Sequence, residues 1–219
     1  MSVPKIEMEG VSVVVRGEFA PSQFHPEWFG RYGLLSPEVI EAADVGIVHR
    51  DVASFDTETI GFRATRDSLE FESAQAPYEP TRDLAVGTLT LLGDLPVRLM
   101  GVNRNSHVAF ESESHWHAYG HTFAPEAPWE GILEDVGLRG LEIQSPKNDG
   151  RGVIRVKIEP SNRVHPGVYI QVNDHYIFGE DEHGVPSSEA SKILSEVWES
   201  SLERSVSIRT KMLEMTNDA

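Results

Sequence analysis

Cysteine is absent from the 219 residues of this chain. Its absence excludes disulfides, thiolate nucleophiles and cysteine-bound zinc or iron–sulfur sites. Long apolar runs are also absent, and a stretch of about 18 apolar residues would be needed to span a bilayer. The opening residues, MSVPKIEMEG, lack the basic and apolar regions of a secretory signal. These absences predict a protein of a prokaryotic-type cytoplasm with no membrane association.

Basic residues are scarce in the sequence. Lys and Arg number 19 against 35 Asp and Glu, which gives a formal net charge of −16. Such a field repels phosphate backbones and anionic lipids over a Debye length, about 8 Å at physiological salt. Direct nucleic-acid binding is not expected, because cationic side chains supply most of its affinity. The acidic exterior favours solubility, and it also fits a basic protein partner or imitation of nucleic acid toward such a partner.

The usual phosphate-binding and nucleophile motifs are missing as well. The sequence has no G-x-x-x-x-G-K-[ST], no G-x-G-x-x-G after a strand and no G-x-S-x-G elbow. Asp174 and His175 are adjacent, so on a strand they point to opposite faces and cannot form a Ser–His–Asp relay. Ser161, Asn162, Asn173 and Asp174 are interpreted as caps of strand ends and turns through side-chain to backbone hydrogen bonds. We therefore predict no catalytic residue.

Strand patterns recur along the chain. The β-branched run at 11–16 predicts an early strand. Polar and apolar residues alternate with the period of a half-buried strand at 60–64, 69–73, 141–143, 154–158 and 168–172. The KNDG sequence at 147–150 predicts a hairpin turn, and the segment 96–103, apolar on both faces, indicates a central strand.

Helical signals lie between these strands. Ser36 followed by Pro37 is typical of a helix start, and Thr81 begins a helix that ends before Gly93. Residues 113–123 are predicted to be helical. Ser187 opens a long amphipathic helix that extends to about 213, roughly 40 Å at 1.5 Å per residue.

Taken together, the elements predict a single α+β domain over residues 1–219. We expect a mainly antiparallel sheet with helices packed on one face and a long C-terminal amphipathic helix. The sequence shows no internal repeat. The last helix is longer than a small sheet can cover, which leaves surface for a protein partner or for self-association.

Residues 107–129 (HVAFESESHWHAYGHTFAPEAPW) contain four of the nine histidines. On a helix, His117 and His121 are one turn apart and could bind one divalent metal through their imidazole nitrogens. On a strand, His115 would instead share a face with His117. Further candidate ligands are His107, Glu111, Glu113 and His175. An H-x-x-x-H pair is common by chance without the adjacent Glu of H-E-x-x-H, so structural or solvent-facing histidines are the alternative.

The same segment and the last helix are expected to form the working surfaces of the protein. The candidate binding residues on them are Trp116, Tyr119, Trp129 and Trp198.

Four segments carry a family resemblance. FHPEWFGRYGLL at 24–35, GVN at 101–103, HAYGHTFAPEAPW at 117–129 and PSNRVHPGVYIQVNDHY at 160–176 together resemble a sporadically distributed group of uncharacterised bacterial proteins. The resemblance covers most of the chain, in matching order. It implies a bacterial, soluble, single α+β domain. The group has no established activity, cofactor or catalytic residue, so the resemblance assigns no role to any position here.

The sequence therefore favours a non-enzymatic interaction or accessory protein of the bacterial cytoplasm, without a cofactor, that acts through protein–protein contacts. The alternative is a metal-dependent hydrolase that uses the histidine cluster at 115–121, with a carboxylate such as Glu113 as ligand or base.

Overall fold

The computed structural model describes residues 4–179 and 184–215. Its ten strands are β1 (Lys5–Gly17), β2 (Asp44–Val48), β3 (Val52–Asp56), β4 (Gly61–Thr65), β5 (Ser68–Ser73), β6 (Pro96–Ala109), β7 (Leu141–Pro146), β8 (Gly152–Pro160), β9 (Gly167–Ile177) and β10 (Val185–Pro186). They form one sheet in the order β2-β3-β4-β5-β1-β6-β9-β8-β7, and the short β10 pairs with β6. Each pair of neighbouring strands is antiparallel.

In the described part of the chain, five helices accompany the sheet: α1 (Pro26–Arg31), α2 (Pro37–Ala42), α3 (Glu79–Leu92), α4 (Glu113–Phe123) and α5 (Ser187–Glu214). Short 3-10 turns cover Pro21–Gln23 and Ala127–Trp129. The predicted α+β class, with its mainly antiparallel sheet and long C-terminal helix, is confirmed. Within the described residues, no helix combines the length and the apolar character needed to cross a membrane.

Local chemistry explains several element boundaries. The Oγ of Ser36 accepts a hydrogen bond from the backbone N–H of Val39 (3.4 Å) and caps α2, as an N-cap serine does. Between β7 and β8, Gly150 has a φ of 70°, a conformation that glycine adopts without steric cost. The hairpin predicted at KNDG therefore forms where its glycine allows it.

The helices pack on one face of the sheet. Alternate residues of β1, namely Val11, Val13 and Val15, are at most 1% exposed and lie in a core that also contains Leu194 and Trp198 of α5. A second apolar cluster contains Val108 of β6, Tyr119 of α4 and Met212 of α5, among other residues. Burial of apolar area of this kind is the main favourable contribution to folding.

A polar layer separates the two apolar clusters along β6, β9 and α5. Asp174 of β9 is 1% exposed and forms ion pairs with Lys147 (2.6 Å) and Arg204. The sequence interpretation of Asp174 as a strand-end cap is therefore wrong, because its carboxylate is the counter-charge of two cations. Glu9 of β1 forms ion pairs with Arg104 (3.0 Å) and Arg209. The pairs of Arg204 and Arg209 connect α5 to the sheet by charge-assisted hydrogen bonds, which are stronger than neutral ones.

The chain repeats one arrangement of elements in its two halves. Each half begins with a long strand, β1 or β6, continues through helix into an antiparallel meander, and ends with α3 or α5. The last strand of each meander returns to pair with the long strand of its own half, β5 with β1 and β9 with β6. The long strands β1 and β6 then pair with each other at the centre of the sheet. The sequence shows no repeat, so this duplication is visible only in the topology.

Candidate functional site

Four amide side chains lie side by side on the face of the sheet opposite the helices. Asn103 and Asn105 come from β6, and Gln171 and Asn173 come from the neighbouring strand β9. Their positions alternate with core residues, because successive side chains of a strand point to opposite faces. We call this surface, over strands β5, β1, β6, β9 and β8, the amide face.

One transverse row of residues in register crosses the amide face. We call it the central row, and its members are Asp56, Gly61, Glu72, Ser12, Asn103, Asn173, Arg155 and Gln144. Each member belongs to a different strand, from β3 to β7. The row is acidic at one end, neutral and polar in the middle, and basic at Arg155 near the other end.

The four amides form the floor of the amide face, and hydrogen bonds hold three of them in place. The Nδ2 of Asn103 donates to the Oγ of Ser12 (3.2 Å). The Oδ1 of Asn105 accepts from the hydroxyl of Tyr169 (3.0 Å) and from the Nε2 of Gln171 (3.1 Å). Side-chain amides carry both donors and acceptors, so the floor offers both kinds of group in a fixed arrangement.

Two hollows of about 520 Å³ and about 460 Å³ lie along this face. Both are lined by Glu72, Asn105 and Tyr169, so they form a continuous trough. Their volumes lie within the range of small-molecule sites, about 300–1,000 Å³. The trough is open, and its lining is mixed: polar side chains predominate in the first hollow, whereas Met8, Val11 and Ile60 add apolar surface to the second.

Two glycines make room in the trough. A Cβ at Gly61 would lie 2.9 Å from the Oδ1 of Asp56 and 3.1 Å from the Oε1 of Glu72, so two carboxylates converge over this glycine. A Cβ at Gly101 would lie 3.0 Å from the Oδ1 of Asn173. All three contacts are closer than ordinary van der Waals approach, so a larger residue at either glycine would push the polar groups apart.

The acidic end of the central row is short of positive charge. Among the described residues, neither Asp56 nor Glu72 takes part in an ion pair. Glu72 is an exposed residue, but its carboxyl lies in the trough, and partial desolvation there raises its pKa. The negative charges of Glu70 and Asp56 raise this pKa further, while Arg63 opposes them. A cation placed here would relieve the repulsion.

On the other side of the trough, positive charges lie close to two histidines. Desolvation lowers the pKa of His175, and the positive charges of Arg155 and Lys147 lower it further. Desolvation likewise lowers the pKa of His107, with a smaller contribution from Arg163. Both imidazoles are therefore biased toward the neutral form.

Among the hydrogen bonds of the described residues, Ser161 and His107 form the one contact between a serine hydroxyl and a histidine ring. The Nδ1 of His107 lies 2.8 Å from the Oγ of Ser161. The same Oγ accepts hydrogen bonds from the backbone N–H groups of Arg163 (3.1 Å) and Val164 (2.9 Å). Since these donors occupy its lone pairs, Ser161 is built as a turn cap, in agreement with the sequence interpretation, and not as a nucleophile.

The predicted metal ligands lie on α4. The rings of His117 and His121 stack with centroids 6.5 Å apart, and the Nε2 of His121 lies 3.3 Å from the Oε1 of Glu126. The ring of His115 turns to the edge of Phe110 instead. In residues 4–179 and 184–215, no three His, Cys, Asp or Glu side chains are grouped as a metal would require.

The remaining candidate ligands are spread over different parts of the fold. His107 and His175 lie on the amide face, on the other side of the sheet from α4. Glu111 is exposed just before α4, and the Oε1 of Glu113 lies 3.4 Å from the Nε2 of His165. The structure therefore brings His117 and His121 together and separates them from the other candidates.

The four candidate binding aromatics have different surroundings. Tyr119 is 0% exposed and Trp198 is 1% exposed, so both are core residues. Trp116 is half-buried, with its ring against His165, and it borders a small pocket of about 100 Å³. Trp129 is 42% exposed and is followed by Ile132 and Leu133, at 69% and 58%. Of these four aromatics, Trp129 alone belongs to an exposed apolar patch, which it forms with Ile132 and Leu133.

Sequence reasoning passed over the amide face. A signal is present in the sequence, because amides stand at alternate positions of two strands, Asn103 and Asn105 on one and Gln171 and Asn173 on another. Asn is depleted in β-strands, in which β-branched and aromatic residues are enriched. Two adjacent strands with amides at alternate positions therefore indicate a specialised polar face.

In comparison with known proteins, no family model matches the sequence, and no curated protein matches it either.

Proposed function

We propose that this chain is a non-enzymatic binding protein, an interaction or accessory component that recognises a protein partner through the amide face. The observation that carries the proposal is the central row, in which polar side chains from seven strands, together with Gly61 of an eighth, stand in register on one surface. Unpaired charges at both ends of that row and a hydrogen-bonded amide floor between them favour recognition of a polar surface. A bacterial cytoplasmic setting and the resemblance to the uncharacterised bacterial group belong to the same proposal.

The chemistry of the face supports binding over bond-making. Ser161 is held as a cap by two backbone donors, and the imidazole of His107 contacts that cap. The side chains of Asn103, Asn105, Gln171 and Asn173 do not ionise, so they offer hydrogen bonds without acid–base function. Groups of this kind position a ligand with specificity.

A second surface competes with the amide face. Trp129, Ile132 and Leu133 are exposed apolar residues near the end of α4, and exposed apolar patches mark protein–protein contacts. This patch belongs to the region that the sequence favoured for recognition or self-association. The experiment must therefore separate the two surfaces.

The test compares two double variants in capture of partners from the cells that produce the protein. Asn105→Ala with Gln171→Ala removes two amides from the floor, and Trp129→Ala with Ile132→Ala removes the apolar patch. We expect the first pair to abolish a specific capture that the wild type and the second pair retain. Thermal unfolding of each variant checks that the fold is intact.

The opposite pattern contradicts the proposal. Capture that survives loss of the amides and disappears with the apolar patch would place recognition at the end of α4. A solution mass that falls from dimer to monomer in the Trp129 variant would assign that patch to self-association.

The alternative of a metal-dependent hydrolase rests on His117 and His121 alone. Their stacked rings lie near Glu126, whose carboxylate is exposed and contacts His121. Elemental analysis of protein made without a polyhistidine tag tests this alternative. About one equivalent of zinc, manganese or iron, lost on replacing both histidines with alanine, would favour the enzyme.

A further inference from the structure

The acidic end of the central row is complementary to a positive charge, and the basic end is complementary to a negative charge. If the amide face is the recognition surface, as proposed above, these charges define the chemistry of the partner. The acidic end has two carboxylates, those of Asp56 and Glu72, converging over Gly61 at 2.9 Å and 3.1 Å from the position that a Cβ would occupy. Glycine at that position brings the two oxygens together on the sheet surface. Within the described residues, neither carboxylate has an ion-pair partner of its own.

The basic end has its own unpaired group. Arg155 lies directly across from Asn173 in the row, and none of the ion pairs of the described chain includes its guanidinium. Its neighbour Lys157 is already paired with Glu159 at 2.7 Å. A guanidinium presents donors in a planar fork that fits a carboxylate, so Arg155 is available for an acidic group of a ligand.

The distance between the two ends sets the length of the ligand. Glu72 on β5 and Arg155 on β8 are four strand spacings apart, roughly 19 Å at about 4.8 Å per spacing. A single amino acid is too short to reach both ends. An extended peptide rises about 3.3 Å per residue, so two of its side chains roughly four to six residues apart reach both.

The floor between the ends suits a peptide backbone. Asn103 and Asn173 stand in the middle of the row, and Asn105 and Gln171 stand in the next row along the strands. Each amide carries a carbonyl and an NH₂ group, the same pair of functions that a peptide bond presents. A neutral glycan would leave both charged ends without a partner, and a nucleic acid would meet Asp56 and Glu72 with like charge.

We propose that the trough binds an extended polar segment of a partner protein that crosses strands β5 to β8. A Lys or Arg of this segment lies against Asp56 and Glu72, and an Asp or Glu lies against Arg155. The amide floor binds the backbone between them.

A random linear peptide library displayed on phage tests this inference. We expect selection on the wild-type chain to enrich peptides that carry a basic and an acidic residue roughly four to six positions apart. Selection on Glu72→Lys should lose the basic residue and enrich acidic residues at both positions. Selection on Arg155→Glu should lose the acidic one.

The matched control is Glu203→Lys, which makes the same change of charge at an exposed position of α5. It should enrich the same peptides as the wild type. A synthetic peptide from the wild-type pool should bind Glu72→Lys about tenfold or more weakly than it binds Glu203→Lys, because like charges placed together are strongly unfavourable.

Three results overturn the inference: no enrichment on the wild type, enrichment without the charge pair, or enrichment that Glu72→Lys and Arg155→Glu leave unchanged. The proposed function survives each of them if the double variant Asn105→Ala with Gln171→Ala still abolishes partner capture. If that double variant keeps its partner while the charge pair is enriched, the trough binds peptides but is not the surface used for the captured partner.

Discussion

The Nζ of Lys147 lies 2.6 Å from the Oδ1 of Asp174, and the two side chains are 3% and 1% exposed. Lys147 belongs to the turn between β7 and β8, so this ion pair connects that hairpin to β9, which carries Asp174. Its ammonium also lies 3.0 Å from the centroid of the Tyr176 ring. Burial lowers the pKa of Lys147, and Asp174 opposes that shift.

Removing the anion of this pair should cost more than removing the cation. Asp174→Asn leaves Lys147 and Arg204 facing each other without a counter-charge, and we expect a loss of about 3–5 kcal/mol, as for other broken buried pairs. Lys147→Met should cost less, because Asp174 keeps Arg204. Urea unfolding of both variants measures the difference. An equal or larger loss for Lys147→Met would show that Arg204 does not sustain the carboxylate.

Glu72→Gln should stabilise the free protein at neutral pH. The folded state raises the pKa of this carboxyl above the ordinary value of 4.5. Above pH 4.5, the Glu72 carboxyl therefore loses its proton in the unfolded chain before it does so in the folded protein. The contribution of Glu72 to stability falls as the pH rises through the folded pKa. The gain should stay below about 1 kcal/mol, because solvent screens an exposed carboxylate. Chemical unfolding at pH 7 tests it, with Glu203→Gln as the control that should change little. A loss of stability in Glu72→Gln would mean that the carboxylate is favourably paired.

Acidification should destabilise the fold through His107 and His175. The pKa of each is lowered from the ordinary value of 6.5. As the pH falls below about 6.5, these two histidines bind protons more readily in the unfolded chain than in the folded protein, so stability decreases. The double variant His107→Gln with His175→Gln should flatten the dependence of unfolding free energy on pH between about 7 and 5. An unchanged slope would assign that dependence to other groups.

Trp198 and Trp129 should respond very differently to truncation. Trp198→Ala removes a side chain that is 1% exposed, and such core truncations cost about 3–5 kcal/mol. Trp129→Ala removes a side chain that is 42% exposed, and we expect a change within about 0.5 kcal/mol, as for other surface substitutions. Thermal or urea unfolding checks both. A large loss at Trp129 would mean that its turn anchors the segment after α4.

Much of the fold follows from local patterns. The helix predicted at 113–123 has those bounds, and the helix from Ser187 extends to Glu214. Trp198, which the sequence offers as a candidate binding residue, lies on the buried face of that last helix. The helical spacing of His117 and His121 was also right, but spacing alone does not supply a third ligand.

The amide face could not be assembled from sequence. Its central row depends on strand order, and Ser12 contacts Asn103 across 91 positions of the chain. Alternation identifies which residues leave the core, but it does not say which strands become neighbours. The duplication of elements in the two halves is likewise a property of strand pairing, which leaves no trace in residue identity here.

Site-specific photo-crosslinking tests the central claim most directly. A photoreactive phenylalanine analogue replaces Tyr169, on the amide face, or Trp129, on the apolar patch, and the protein is irradiated in the cells that produce it. We predict that position 169 forms a specific adduct with a partner protein and that position 129 does not. An adduct formed at position 129 and missing at position 169 would contradict recognition through the amide face.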